Sequence, residues 1–353
     1  PAGTAGDVVA IKDYANTFDS NAVTLVQNGS DKIGGSAVNA VLSTEGLAVT
    51  LVFVDSTQGW LVTDNGTQDT APTTRFITAT GGTITCSGNF RIHTFTGPGA
   101  LCVSCAGNPS GSTTVDYLVV ASGGGGGSGL GGGGGAGGFR TNFPSSCSGI
   151  PVSVQPYPIA VGSGGAAGIP DGGSGTPGNN STFSSITSTA GGGAVARSSP
   201  TPVGPGGSGG GGSGLAAYPG GTGNTPPTSP PQGNDGGDGS SGTKRSGGGG
   251  GGAAGDGGDA LSATYAVGGV GSSNSITGSA IFYAGGGGGN GDPGGPAPSG
   301  LGGNGGGGNG GPSTNGTAGA ANTGGGGGGG AGSCSNGAAG GSGIVIIRYK
   351  FQN

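Results

Sequence analysis

The sequence predicts a mainly β N-terminal region followed by a polyglycine II bundle of polyproline-like helices. The bundle is inserted between two paired β-strands, with almost no α-helix. Three observations carry that expectation. Glycine supplies 100 of the 353 residues, and most glycines lie in clusters between positions 123 and 343. Two β-branched runs, VDYLVVA at 115–121 and IVIIRYKF at 344–351, bracket those clusters. Before them, short β-branched runs alternate with Asn-Gly, Gly-Gly and Glu-Gly turn signals, the punctuation of small antiparallel sheets.

From the N-terminus, strands are expected at Val8–Ile11, Val23–Gln27, Val38–Leu42, Ala48–Val54 and Gly59–Thr63. They form a β-rich attachment and oligomerisation module over residues 1–74. Short strands with little core of their own need a partner surface, and closed three-fold symmetry is a ready solution. A second β-domain spans 75–122, beginning with FITATGGTITCSGNFRIHTF and ending in the run at 115–121. The C-terminal strand within 343–353 completes it. Pairing the two bracketing runs closes the glycine insert at its base and places Leu118 near Ile346.

The glycine block, 123–342, has to justify its own order. Each glycine loses more backbone freedom on folding than any other residue, so such a stretch by itself suggests a flexible linker. One regular state suits glycine runs: the polyproline-type helix, with three residues per turn and no internal hydrogen bonds. Its N–H and C=O groups point outward, and neighbouring helices satisfy them only where no side chain holds the backbones apart. Runs at 123–127, 131–135, 206–212, 247–252, 285–289 and 324–330 would each span roughly 16–22 Å at that rise. Loops of variable length separate them, as rods stacked side by side require.

Composition narrows the function. Charged residues are 7% of the chain and the net charge is −5, without the basic stripe that nucleic acid requires. No apolar run approaches a membrane span of about 20 residues. Of the five cysteines, Cys102 and Cys105 have a CxxC spacing but no companion ligands, so neither zinc nor a cofactor is expected. A Cys147–Cys334 disulfide would staple the block, but connectivity is not legible in sequence. The single histidine, His93, lies in an alternating strand pattern and reads as structural. Asp235, Asp238, Asp256, Asp259 and Asp292 sit beside glycines, where aspartate is a turn residue. No nucleophile, base or paired acids are arranged for catalysis.

Two stretches carry a resemblance. TLVQNGSDKIGGSAVNAVLSTEGLAVTLVFVDSTQGWLVTD (24–64) resembles a module of phage tail fibres and other virion appendages. The pattern ITCSGNFRIHTFTGPG, DYLVVA, glycine block, SGIVIIRY is similar to glycine-rich tail proteins of bacteriophages and their prophage relatives, over roughly 80–353. The overall design also resembles the adhesins of T-even-type phages, whose tips are stacked glycine helices. The resemblance implies a non-enzymatic tail-fibre or adhesin subunit on the virion surface. Its implied partners are itself as a homotrimer, other virion structural proteins, and a host-surface glycan or outer-membrane protein. Nucleic acid and membrane insertion are not implied.

Recognition is expected in the loops, because bare backbone rods offer few distinguishing groups. Segments 139–161, 213–232 and 261–283 are richest in aromatics and prolines. Tyr157, Tyr218 and Tyr265 are the first-choice contact residues, with Phe143 and Phe282 beside them; aromatic faces near hydroxyls suit sugars. Two other readings stay open: a self-assembling extracellular filament, and an ice-binding glycine-helix protein. The latter requires small side chains at regular intervals, whereas these runs are nearly pure glycine.

Overall fold

The computed structural model describes residues 2–66, 74–144, 149–170, 173–197, 204–215, 218–241, 245–260, 265–291, 299–332 and 334–353. Among them there is no α-helix; the regular elements are all strands. The chain forms two compact units, Pro1–Thr74 and Arg75–Asn353.

In the first unit, β1 (Val8–Lys12), β2 (Val23–Leu25), β3 (Ala40–Leu42), β4 (Ala48–Phe53) and β5 (Trp60–Gly66) fall on the expected β-branched runs. β4 lies between β1 and β5, while β2 and β3 form a separate hairpin. Period two along β4 buries Val49, Leu51 and Phe53, and Phe53 meets Trp60 edge-on at 5.4 Å. Asp13, 1% exposed, ties the unit together. Its carboxylate accepts the N–H groups of Thr17, Phe18 and Gly46 at 2.9–3.0 Å.

The second unit is a sandwich of two antiparallel sheets. Its first strands are β6 (Ile77–Thr80), β7 (Thr83–Ser87), β8 (Phe90–Phe95), β9 (Gly99–Ala106) and β10 (Thr114–Val120). The glycine block then contributes β11 (Phe139–Thr141), β12 (Ile150–Pro151), β13 (Pro156–Ala160), β14 (Ser181–Phe183) and β15 (Ile186–Ser188). A small hairpin follows, β16 (Ser272–Asn274) with β17 (Ile281–Tyr283), and β18 (Ile344–Lys350) ends the fold. One sheet runs β11-β10-β18-β8-β7, with β12 also on β10; the other runs β15-β14-β13-β9-β6. The bracketing strands β10 and β18 are neighbours, and Leu118 faces Ile346 directly.

Alternation on those two strands builds two cores. Val115, Tyr117 and Val119, with Val345, Ile347 and Tyr349, face the second sheet and pack on Leu101, Val103, Tyr157, Ile159 and Phe183. Leu118, Val120, Ile344 and Ile346 face the other way and receive Ala136, Ile276, Tyr283 and Ala284 from the glycine block. The sheet is therefore apolar on both faces, which is why its strands read as continuous β-branched runs.

The glycine block departs from a pure bundle between 139 and 188, where five strands complete the sandwich. The reason is visible in β13: its burial alternates, with Tyr157 and Ile159 inward, a period of two that prolines and neighbouring glycines obscure. Cys147 lies outside the described residues, and Cys334 is an exposed free thiol.

The remaining block is a bundle of extended rods with a three-residue repeat. Rod 131–138 is its axis. Gly131, Gly134 and Gly137 donate their N–H groups to the carbonyls of Gly330, Gly327 and Gly324; Gly132, Gly135 and Gly138 donate to Val195, Gly192 and Thr189. Gly133 and Ala136 donate to Gly248 and Gly251. In return, its carbonyls accept from rods 123–127, 208–214 and 287–290 by the same rotation. The axis rod thus bonds to six neighbours, donating to three and accepting from three. A Cβ at Gly134 would land on the carbonyl oxygen of Gly124, so this position admits no side chain. The chain reverses between the first two rods through Gly129 and Leu130, at φ of 50° and 63°.

Candidate functional site

The three segments expected to carry recognition converge. Phe139, Arg140 and Thr141 from the first, Ser229, Pro230 and Pro231 from the second, and Ser272 from the third line one groove of about 260 Å³, with Tyr117 and Ala253 beside them. Segment 261–264 at the start of the third lies outside the described residues.

Two buried amides, neither of them among the residues expected from the sequence, hold the segments together. Gln232 is 1% exposed. Its backbone carbonyl accepts the Phe139 N–H at 2.8 Å, and its side-chain Oε1 accepts the Thr189 N–H at 2.9 Å. Its Nε2 donates to the Pro226 carbonyl at 3.1 Å and to Thr189 Oγ1 at 3.2 Å. Asn224 gathers the proline loop, its Oδ1 accepting N–H groups from Thr228 and Gln232 at 3.0 and 3.2 Å. Asn274 on β16 reaches across to Thr141 Oγ1 and the Phe143 carbonyl, both at 3.4 Å. A segment in which every buried amide is satisfied is held in one geometry. The signal available in sequence was a lone Gln after a proline cluster, which no periodicity marks.

The five aromatics do not share this groove. Tyr157 corrects the expectation: it is 7% exposed and fills the sandwich core, its ring tilted against Phe183 at 6.2 Å, because strand alternation turns it inward. Its hydroxyl accepts the Ser153 N–H at 2.8 Å. Tyr218 and Tyr265 are half-buried at separate rod ends, and Phe282 is exposed on β17 opposite Ser273. Phe143 is half-buried, its ring centroid 4.8 Å from the guanidinium carbon of Arg348.

His93 is fully buried in the sandwich. A carbonyl can only accept, so its Nδ1 carries the proton donated to Gly81 O at 2.7 Å, and Nε2 accepts from the Tyr349 hydroxyl at 3.0 Å. Burial pushes its pKa down, and the nearby Arg91 charge adds to that; the Gly81 carbonyl opposes it. The aspartates of the block are cross-rod ties rather than turn residues. Asp256 and Asp259 accept the N–H groups of Asp235 and Asp238 at 3.2 and 2.8 Å. Asp235 and Asp238 in turn accept from Gly223 and Gly220 at 2.6 and 2.8 Å. Their i, i+3 spacing is the rod repeat itself. Asp292 lies outside the described residues. Among the described residues, no group of three or more His, Cys, Asp or Glu is placed to hold a metal, and no helix is long and apolar enough to cross a membrane.

Arg140, the hydroxyls of Thr141, Ser229 and Ser272, and the Phe139 and proline surfaces give the groove hydrogen-bonding and stacking capacity on a rigid base. These features define a β-sandwich protein that displays loops from an inserted bundle of backbone-bonded glycine rods. A family model described as a glycine-rich domain matches residues 102–350, well over half of the chain, and the chain belongs to that family. No curated protein matches it.

Proposed function

We propose that the chain is a bacteriophage tail-fibre or adhesin subunit that binds the host surface and catalyses no reaction. It would act on the virion surface, alongside other virion structural proteins, against a host-surface glycan or outer-membrane protein. The observation that carries the reading is the convergence of three loop segments on one groove braced by Gln232 and Asn274. Binding residues on loops over a rigid scaffold limit the ordering cost of association. The resemblance of 80–353 to glycine-rich phage tail proteins supplies the biological setting. Self-association as a homotrimer has separate support: Val8, Val26, Val38, Val41 and Val62 of the first unit are each more than half exposed.

The test is attachment of the intact chain to host cells. Arg140→Glu combined with Ser229→Glu, both in the groove lining, should cut attachment at least tenfold while thermal unfolding stays unchanged. Full attachment by that variant would remove the groove from the reading.

A further inference from the structure

A second cleft, of about 470 Å³, opens beside Arg348 on β18, a volume typical of small-molecule sites. The guanidinium carbon of Arg348 sits 3.9 Å from the Phe90 ring centroid and 4.8 Å from that of Phe143. Both rings are within cation–π distance of the guanidinium, a contact that leaves its N–H groups for hydrogen bonding. Arg348 Nε is buried and has no acceptor. A buried donor left unmade carries a desolvation cost that an arriving acceptor relieves. Asp116, the cross-strand partner of Arg348, is the opposing charge in the cleft. Burial pushes Asp116 up and Arg348 down, each partly offset by the charge of the other. Thr113 and Thr114 form a hydroxyl-bearing wall, and Gly111 and Gly149 bring backbone to the cleft edge.

We propose that this cleft binds the oxyanion of a sugar-sized ligand, a carboxylate or phosphate group held edge-on by Arg348, with the sugar ring against the Thr113–Thr114 wall. The planar fork of arginine matches both oxyanions in a two-bond geometry that lysine does not reproduce. A guanidinium already in contact with two rings loses little freedom on binding, so the site is organised in advance. The proposal is independent of the attachment reading, because it concerns the free protein in solution.

Titration of the intact chain with D-glucuronate, D-glucose 6-phosphate and D-glucose, followed by calorimetry or chemical shifts, tests it. At least one acid sugar should bind ten times more tightly than glucose, and the ratio between the two acids identifies carboxylate or phosphate as the preferred group. Arg348→Gln should bring that affinity down to the level of glucose. Asp116→Asn, which removes the opposing charge, should strengthen acid-sugar binding severalfold, and it carries the test alone if Arg348→Gln fails to fold. Equal binding of all three sugars overturns the proposal, as does unchanged affinity in a folded variant.

Discussion

Ile347 in the sandwich and Gly134 in the bundle are both buried, but their surroundings are opposite in kind. Ile347 touches side chains from two sheets, and its burial is the ordinary hydrophobic contribution of a few kcal/mol, about 1.5–3. Gly134 touches only backbone: its N–H goes to Gly327 and its carbonyl accepts from Gly287. The bundle interior therefore gains little from apolar side chains and rests on leaving no backbone group unpaired. A sandwich core tolerates swaps of similar volume. Position 134 on the axis rod tolerates no added carbon.

That contrast can be broken most sharply at its two ends. Gly134→Ala is expected to destabilise the second unit by about 3 kcal/mol, the upper end for overpacking, whereas Ile347→Val should cost about 1 kcal/mol. Thermal unfolding of the two variants side by side measures the difference. Equal melting temperatures would mean that the rods yield as readily as a side-chain core.

Gln232→Ala comes next, at about 1–2 kcal/mol, because it takes the side-chain partner from the part-buried Thr189 N–H and Pro226 carbonyl. Its effect should be local, with amide exchange accelerating at Phe139 and Thr189 more than in the axis rod. Uniform acceleration through the bundle would show that loops and rods open as one unit.

The sandwich alone should respond to mild acid. His93 is held below its ordinary 6.5 chiefly by burial, so the unfolded chain takes up the proton before the folded one does. Its contribution is full above that value and is lost as pH falls through the depressed folded-state value. The urea midpoint should drop between about pH 7.5 and pH 5.5 in the wild type and less in His93→Gln. Parallel pH profiles would remove His93 from the account.

The smallest effect is expected at the bundle edge. Asp259→Ala removes one exposed cross-rod bond to the Asp238 N–H and should cost about 0.5 kcal/mol. A loss as large as that of Gly134→Ala would show that edge ties, rather than the axis, hold the rods.

Much of the architecture was legible in period and composition. The five strands of the first unit, the pairing of 115–121 with 344–351, and the glycine rods follow from β-branched runs and from the exclusion of side chains. The Leu118–Ile346 partnership needed only the idea that an insert closes at its base. The site was half legible: its segments were identified by aromatics and prolines, but the named residues were not the ones assembled. Tyr157 looked like a loop residue because prolines flank it, and pairing with β9 turned it into core.

The sequence alone determined that the glycine runs within 123–343 could order only by backbone-to-backbone bonding, because they have nothing else to bury. It also determined which strands are apolar on both faces. Tertiary structure decided which rods are neighbours, since identical glycine runs carry no side-chain pattern to specify register. It decided that 139–188 joins the sandwich, and that Gln232 and Asn274, unremarkable in sequence, bring three distant segments to one groove. Those choices depend on distant partners, 133 residues apart for Asn274 and Thr141 and farther for Gly131 and Gly330, and no local periodicity encodes a contact at that range.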